Sequence, residues 1–358
     1  MFDKRISSLR EKMREEMLSA YLITSYENYR YFSGFSGSNC TLIITHDKLF
    51  ALTDGRYDVQ IRSQTKGFEI TVISRPMSEH IGDILKGLSP LSVGYETMEI
   101  TDFALTNIKN ASGDGATFVA CTDIASDIRA IKDEGEISHL RRAAKIADEA
   151  FLKMCSSLSQ GTTERGAAAL LEYRMALLGS EGAAFSTIAA SDVRGAMPHA
   201  TAENIEIPEN SLVTFDFGAV SGGYRSDITR TIHVGNPSRE LCELWDIVFE
   251  VQQKCLSSVK AGVSCRELDA LARELFEKKG MEKYFTHSLG HGVGLAVHEA
   301  PTLSRRSDTI LSENMVVTIE PGLYIEGLGG VRIEDSVVVT RDGCEILTLA
   351  PYKININL

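Results

Sequence analysis

The strongest constraint on this 358-residue chain is that part of it is written twice. Glu209-Asn-Ser-Leu-Val-Thr-Phe-Asp-Phe-Gly218 and Glu313-Asn-Met-Val-Val-Thr-Ile-Glu-Pro-Gly322 agree at five of ten positions, and Asp216 falls opposite Glu320. Upstream of each copy a glycine turn opens a helical stretch: Gly161-Thr-Thr-Glu164 precedes a run through Leu178, and Gly262-Val-Ser-Cys-Arg-Glu267 precedes one through Lys279. In the second copy Ser264 and Glu267 have capping-box spacing and Gly280 is placed to end the helix. Leu268, Leu271, Leu275 and Phe276 predict its buried stripe. Matching elements in the same order predict a duplicated α+β unit about a pseudo-twofold axis, near which equivalent side chains converge.

Each copy carries two acids on adjacent strands. In Leu212–Phe217 the alternation puts Asp216 on the face of Thr214, with Val213, Phe215 and Phe217 opposite. Asp227 then opens a second alternating strand through Val234, ended by Gly235-Asn-Pro237. In the second copy Glu320 closes the strand Met315–Ile319, and Glu334 sits inside a strand running from Gly330 to Val339. Taken singly, each acid reads as a solvated strand-face charge. Four in register across a repeat would repel one another strongly, so they call for cations between them, and hard oxygen donors suit divalent metals. His291, between glycines in Thr286-His-Ser-Leu-Gly-His-Gly-Val-Gly-Leu-Ala-Val-His-Glu299, is the candidate fifth member. Two dications balance four carboxylates and leave room for a bridging hydroxide, the composition of a hydrolytic two-metal site.

The region before the repeat reads differently. Tyr21–Thr24, Thr41–Thr45, Leu49–Leu52 and Phe68–Ile73 are strand-like, His46-Asp47-Lys48 predicts a hairpin, and Thr53–Tyr57 a turn at a strand end. These predict a smaller α/β domain over residues 1–125, a linker from Asp123 to Asp133, and a second domain over 133–358. The second domain opens with a long helix, through Ile137, Leu140, Ala144, Ala147, Phe151 and Met154, that Gly161 stops.

A formal charge of -12 argues against nucleic acid or an anionic membrane as partner. Seven scattered cysteines without a CxxC pair read as reduced thiols. No apolar run approaches the ~20 residues of a spanning helix, and the first ten residues lack the apolar core of a signal peptide. The expected location is cytoplasmic. Gly290-His-Gly-Val-Gly294 lacks the spacing and preceding strand of a dinucleotide loop, His298-Glu-Ala-Pro-Thr302 lacks the second histidine of HExxH, and Ser36 in Gly34-Phe-Ser-Gly37 is out of frame for a nucleophile elbow.

Phe185–His199, Asp216-Phe-Gly218, Tyr224-Arg-Ser-Asp-Ile-Thr-Arg-Thr231, His287–Glu299, Ile319-Glu-Pro-Gly322 and Val331-Arg-Ile-Glu-Asp335 together resemble the signatures of the Xaa-Pro peptidases, the prolidase and aminopeptidase P group. The resemblance spans almost the whole chain. It implies a pita-bread catalytic domain, α+β and internally duplicated, behind a smaller α/β N-terminal domain. It also implies two divalent ions, manganese first among the candidates with cobalt, zinc and iron as alternatives. Asp216 then chelates one ion, Asp227 and Glu334 bridge both, and His291 and Glu320 complete the second. His199 and His298 correspond to substrate or oxyanion contacts, Glu320 to a proton shuttle, and His287, Tyr324 and Arg332 to the surroundings of the proline ring. Arg332 reads equally well as a buried partner for the acids. The implied activity is hydrolysis of the Xaa-Pro bond in short proline-containing peptides or dipeptides, in a homodimer. A metal-dependent hydrolase of a non-peptide amide or ester, or a non-catalytic peptide-binding module of the same fold, are the alternatives.

Overall fold

Alternation of apolar runs with polar spacers in the first part of the chain produces a six-stranded sheet with strands β1 (Ala20–Ile23), β2 (Thr41–Thr45), β3 (Leu49–Thr53), β4 (Glu69–Val72), β5 (Leu91–Glu96) and β6 (Ala116–Cys121) in the order β4-β3-β2-β1-β5-β6. The three-residue spacer at His46 makes the expected antiparallel hairpin β2–β3, whereas β3–β4, β1–β5 and β5–β6 are parallel. Leu22, Ile43, Leu52, Ile81 and Val93 fill the core of this unit. The turn expected at Thr53–Tyr57 closes as a 3-10 helix, Gly55–Tyr57, capped by the Asp54 carboxylate. The computed structural model describes residues 2–88, 91–122 and 124–358; one unit ends at Arg129 and the next begins at Ala130.

Two local expectations are corrected at the boundary. Asp123, the first residue of the expected linker, lies outside the described residues, but Ile124–Ala130 form a helix, because Ile124, Ala125 and Ala130 are apolar groups that reach burial. The long helix runs Glu134–Cys155, opened by an Asp133–Glu136 capping box, and stops before Gly161. Ser156 and Ser157 turn their hydroxyls back onto the Lys153 carbonyl, the local competition that makes serine a poor helix interior residue.

The second unit contains β7 (Ile188–Ser191), β8 (Ser211–Phe217), β9 (Val220–Ser221), β10 (Tyr224–Arg225), β11 (Ile228–Val234), β12 (Gly290–Gly292), β13 (Glu299–Leu303), β14 (Val316–Ile319), β15 (Gly322–Ile325), β16 (Gly329–Arg332), β17 (Asp335–Val339), β18 (Cys344–Ile346) and β19 (Asn355–Ile356). They form sheets β19-β11-β8-β7 and β13-β12-β14-β17-β18 with two short hairpins, β9–β10 and β15–β16. Helices Glu134–Cys155 and Glu164–Leu177 share a core with the first sheet through Phe151, Leu171, Phe215 and Phe217. Helices Arg239–Ser258 and Cys265–Lys278 do the same with the second through Val248, Leu268, Val317 and Val337.

The duplication is visible down to single dihedrals. Asn210 and Asn314 both take left-handed φ, +59° and +67°, as do Gly161 and Gly262 at +83° and +88°; asparagine tolerates that region and glycine prefers it. Isolated bridges Thr163↔Glu206 and Ser264↔Ile310 recur at matching places. The copies differ at the helix start: Thr163 caps the Gly166 amide, whereas Ser264 makes no side-chain capping bond, although in both copies the next amide, Glu164 or Cys265, is held by a distant carbonyl, Ile205 or Thr309. The buried stripe there is Cys265, Leu268, Ala272 and Phe276, with Leu271 and Leu275 only partly covered. Glu334 is not inside a strand either: it lies in the break between β16 and β17, which belong to different sheets.

Candidate active site

Each half of the second unit aims its acids at the same cavity, of about 690 Å³. In β8 the apolar Phe215 and Phe217 are fully buried toward the helices, which turns Asp216 the other way. Across the ladder Asp216 pairs with Thr229, and Asp227 lies just ahead of β11. In the second half Glu320 follows the end of β14 and Glu334 immediately precedes β17, one step past the last register pair, Ile319↔Asp335. Asp216, Asp227, Glu320, Glu334 and His291 all line the cavity, together with His199, His287, His298 and Arg332.

His291 sits in β12 between glycines that no other residue can replace there. A Cβ on Gly290 would strike the Thr318 carbonyl, and one on Gly292 the Ala300 carbonyl. Its Nδ1 lies 3.0 Å from the Gly292 carbonyl, which can only accept, so Nδ1 carries a proton and Nε2 is the nitrogen left to exchange its own proton for a metal ion. Nε2 faces Glu320 Oε1 at 3.3 Å and Asp227 Oδ2 at 3.7 Å. Ligand atoms of Asp227, His291 and Glu334 all lie within 4.8 Å of one another.

Electrostatics mark this cluster as short of positive charge. Burial, then the neighbouring carboxylates, push Asp227 and Glu334 well above the usual carboxylate range. Burial also raises Asp216, against the opposing pull of Arg332. Burial disfavours charge on His291 as well, yet its hydrogen bond to Glu320 and the surrounding acids raise it to about 9, and His291 in turn holds Glu320 low against the effect of burial. Protons here stand in for cations. Asp216 tests whether metal fits: Arg332 donates to its Oδ2 at 2.6 Å, while Oδ1 is buried with no hydrogen-bond partner among the described residues. An orphaned carboxylate oxygen beside three further carboxylates and an imidazole nitrogen that faces them is a donor set suited to divalent ions.

The remaining expected residues form a polar frame. Arg332 donates to Asp216, to the Tyr324 hydroxyl (2.8 Å), to the Pro198 carbonyl (3.1 Å) and to Thr229 Oγ1 (3.1 Å), so both readings of it meet in one side chain. The Tyr324 hydroxyl is 2.9 Å from His287 Nε2, and His287 Nδ1 donates to the Ser288 carbonyl. With both nitrogens engaged and burial lowering its pKa, His287 offers the cavity a ring face, not a proton. Tyr324 supports this wall from behind; it is not among the lining residues. His199 and His298 line the cavity as exposed side chains, and the His298 ring stands 4.2 Å from that of His291. Burial and the adjacent His291 charge lower its pKa.

Sequence reading missed the residues that brace the acids. Thr229 donates to Glu334 Oε2 at 2.7 Å, and Thr318 Oγ1 donates to Glu320 at 3.2 Å while accepting the His291 amide at 3.1 Å. Thr318 occupies the repeat position of Thr214, which pairs with Thr231 at 2.9 Å, so the identity of the two threonines was an available signal. Arg230, fully buried, holds Asp335 at 2.8 Å and the Glu334 carbonyl at 2.5 Å. Its partners lie over a hundred residues away, and no local pattern announces them.

Residues 138–341 match the model of metallopeptidase family M24, and residues 5–131 match the creatinase/prolidase N-terminal domain. A Xaa-Pro dipeptidase of Pyrococcus furiosus is 37% identical over 351 residues, 96% of this chain and 97% of that protein. Among solved structures, a Xaa-Pro dipeptidase from Bacillus anthracis superposes with TM-score 0.96 at 39% identity over 100% of both chains. An X-Pro aminopeptidase from Thermotoga maritima gives 0.88 at 38% identity, over 96% of this chain and 100% of that one. The chain belongs to metallopeptidase family M24: a creatinase/prolidase N-terminal domain followed by the pita-bread domain. Membership implies divalent metal ions, and Asp227, His291 and Glu334 form a group able to bind one. No helix among the described residues is long and apolar enough to cross a membrane.

Proposed function

We propose that this protein hydrolyses the bond between a first residue and a following proline in short peptides, using two divalent ions, manganese first among the candidates, held by Asp216, Asp227, His291, Glu320 and Glu334. The observation that carries the reading is the convergence of these five donors on one cavity, with an Asp216 oxygen that has no hydrogen-bond partner among the described residues and His291 Nε2 turned toward the acids. The names of the relatives point to the same substrate class. Bound at these donors, the ions would lower the pKa of a water and polarise the scissile carbonyl.

The chain's own groups do the rest. Glu320, which lines the cavity beside the other donors, accepts the water proton and carries it toward the proline nitrogen. That nitrogen has no hydrogen and becomes basic once the carbonyl is pyramidal, so the leaving group needs an acid. His298 faces the developing oxyanion, with His199 assisting from the opposite half. The fixed His287 ring face, braced by Tyr324 and Arg332, suits a rigid proline ring, which loses little entropy on binding, whereas a flexible side chain would leave gaps. The working assembly is a homodimer in the cytoplasm.

Competition between Ala-Pro-Ala and Ala-Ala-Ala, with Ala-Pro alongside, tests the reading. Xaa-Pro should win in kcat/KM by about 10²-fold, since ring contacts also set the carbonyl in place. Equal, measurable rates on the two tripeptides would sink the proline assignment, and the Ala-Pro rate separates dipeptidase from aminopeptidase behaviour.

A further inference from the structure

Lys132 stands at the start of the second unit with its side chain completely buried, and burial of an ammonium is tolerated only against an anion. The anion is Glu299, whose Oε1 lies 2.8 Å from Lys132 Nζ. Glu299 directly follows His298 and lines the active-site cavity. Its other oxygen accepts the Ala296 amide at 3.3 Å, and the carboxylate packs so closely on Gly294 that a Cβ there would collide with it. The loop 294–299 is therefore folded around this carboxylate. On its other flank the Arg225 amide and Nε hold the carbonyls of Gly294 (2.8 Å) and Leu295 (3.0 Å).

The backbone of Lys132 ties this loop to the rest of the site. Its amide donates to the Asn314 carbonyl at 2.9 Å, and Ile131 bridges Met315, the residue leading into β14, whose end at Ile319 is followed by Glu320. We infer that Lys132 is a positioning residue, which through its buried ion pair with Glu299 holds the loop carrying His298 against the strand that leads into Glu320. The inference rests on the role proposed for His298. A displacement of even about 1 Å in such a group costs roughly 10²-fold in rate.

The test uses the metal-loaded enzyme with Lys132→Met, Glu299→Gln and Lys132→Arg, beside wild type and His298→Ala. Lys132→Met and Glu299→Gln should each lower kcat on Ala-Pro-Ala by about 10- to 100-fold while KM stays within about threefold and elemental analysis finds the metal content of wild type. Lys132→Arg should recover most of the rate. A phosphinic Ala-Pro analogue, a tetrahedral anion, should lose affinity in the same proportion as kcat/KM. Amide exchange confined to residues 294–299 should quicken in both neutral variants, a readout that stands even were the enzyme to cleave something other than Xaa-Pro bonds. Unchanged exchange at 294–299, an unchanged kcat in folded variants, loss of metal in step with loss of rate, or a His298→Ala that matches wild type would each overturn the inference. A wild type inert on both Ala-Pro-Ala and Ala-Pro with the exchange effect present would overturn the substrate reading and leave the clamp standing.

Discussion

The two halves of the second unit share a frame and divide the work. Each contributes two carboxylates from a strand or the residues next to one and backs them with two helices, and in both a left-handed asparagine precedes the first of those strands. The nitrogen chemistry is one-sided: among the described residues that line the cavity, His287, His291, His298 and Arg332 come from the second half and His199 from the first. Spacing diverges with it. Asp216 and Asp227 are separated by the small β9–β10 hairpin, whereas Glu320 and Glu334 are separated by the longer β15–β16 hairpin, which carries Tyr324 and Arg332. Duplication accounts for the symmetric requirement, balanced charge around metal ions; divergence of one copy accounts for the asymmetric one, a substrate with two different ends.

The largest test of that symmetry removes one bridging acid from each half. Asp227→Ala and Glu334→Ala should both drop activity to background and strip bound metal, because each position is proposed to hold both ions. Elemental analysis in which one variant keeps its full metal content would mean the halves are not equivalent as ligands. The asymmetry is probed by the histidines. His298→Ala should fold, retain its ions and lose roughly 10²-fold or more in kcat, while His199→Ala from the other half should lose nearer tenfold; steady-state kinetics with equal losses would erase the distinction.

The smallest effect concerns stability. In metal-free protein Asp227 and Glu334 titrate above their unfolded range, so the folded state gains when they are protonated, and that advantage is lost as pH climbs from the ordinary carboxylate range through the raised values. Divalent ions remove the penalty by replacing the protons. The fall in Tm on adding chelator should therefore be larger at about pH 8 than at about pH 6, by a few degrees for each kcal/mol involved. A chelator effect that shrinks as pH rises would contradict the assignment of these acids as the shared ones.

What could be read from the sequence was what repeats or alternates. The Asp216 strand, its partner strand and the hairpin at His46 follow from periodicity, and the opposition of Asp216 and Glu320 from the duplication. Legibility failed where a residue's state depends on a distant partner. Ile124–Ala130 looked like a linker because its charges mask a few apolar residues that are nonetheless buried. The strand expected through Glu334 breaks because the Glu334 amide turns to the Thr229 carbonyl and its own carbonyl to Arg230, contacts that no window of ten residues contains. Lys132 and Glu299, 167 positions apart in the numbering, are an ordinary lysine and glutamate until the fold buries them together.

The return of the chain through β19 has a consequence for biosynthesis. Its residues pair with β11, His233↔Asn355 and Val234↔Ile356, and just before it the amides of Leu349 and Ala350 close on the Asp148 carboxylate at 2.7 and 3.0 Å. Arg230 likewise awaits the Ala350 carbonyl at 3.0 Å. A nascent chain on the ribosome that has completed the first copy of the repeat still holds a guanidinium and a carboxylate whose partners have not been translated. The copies are thus repeated modules without being autonomous ones: the first to be made is among the last to be finished, and nothing short of residue 356 completes the pairing of its sheet.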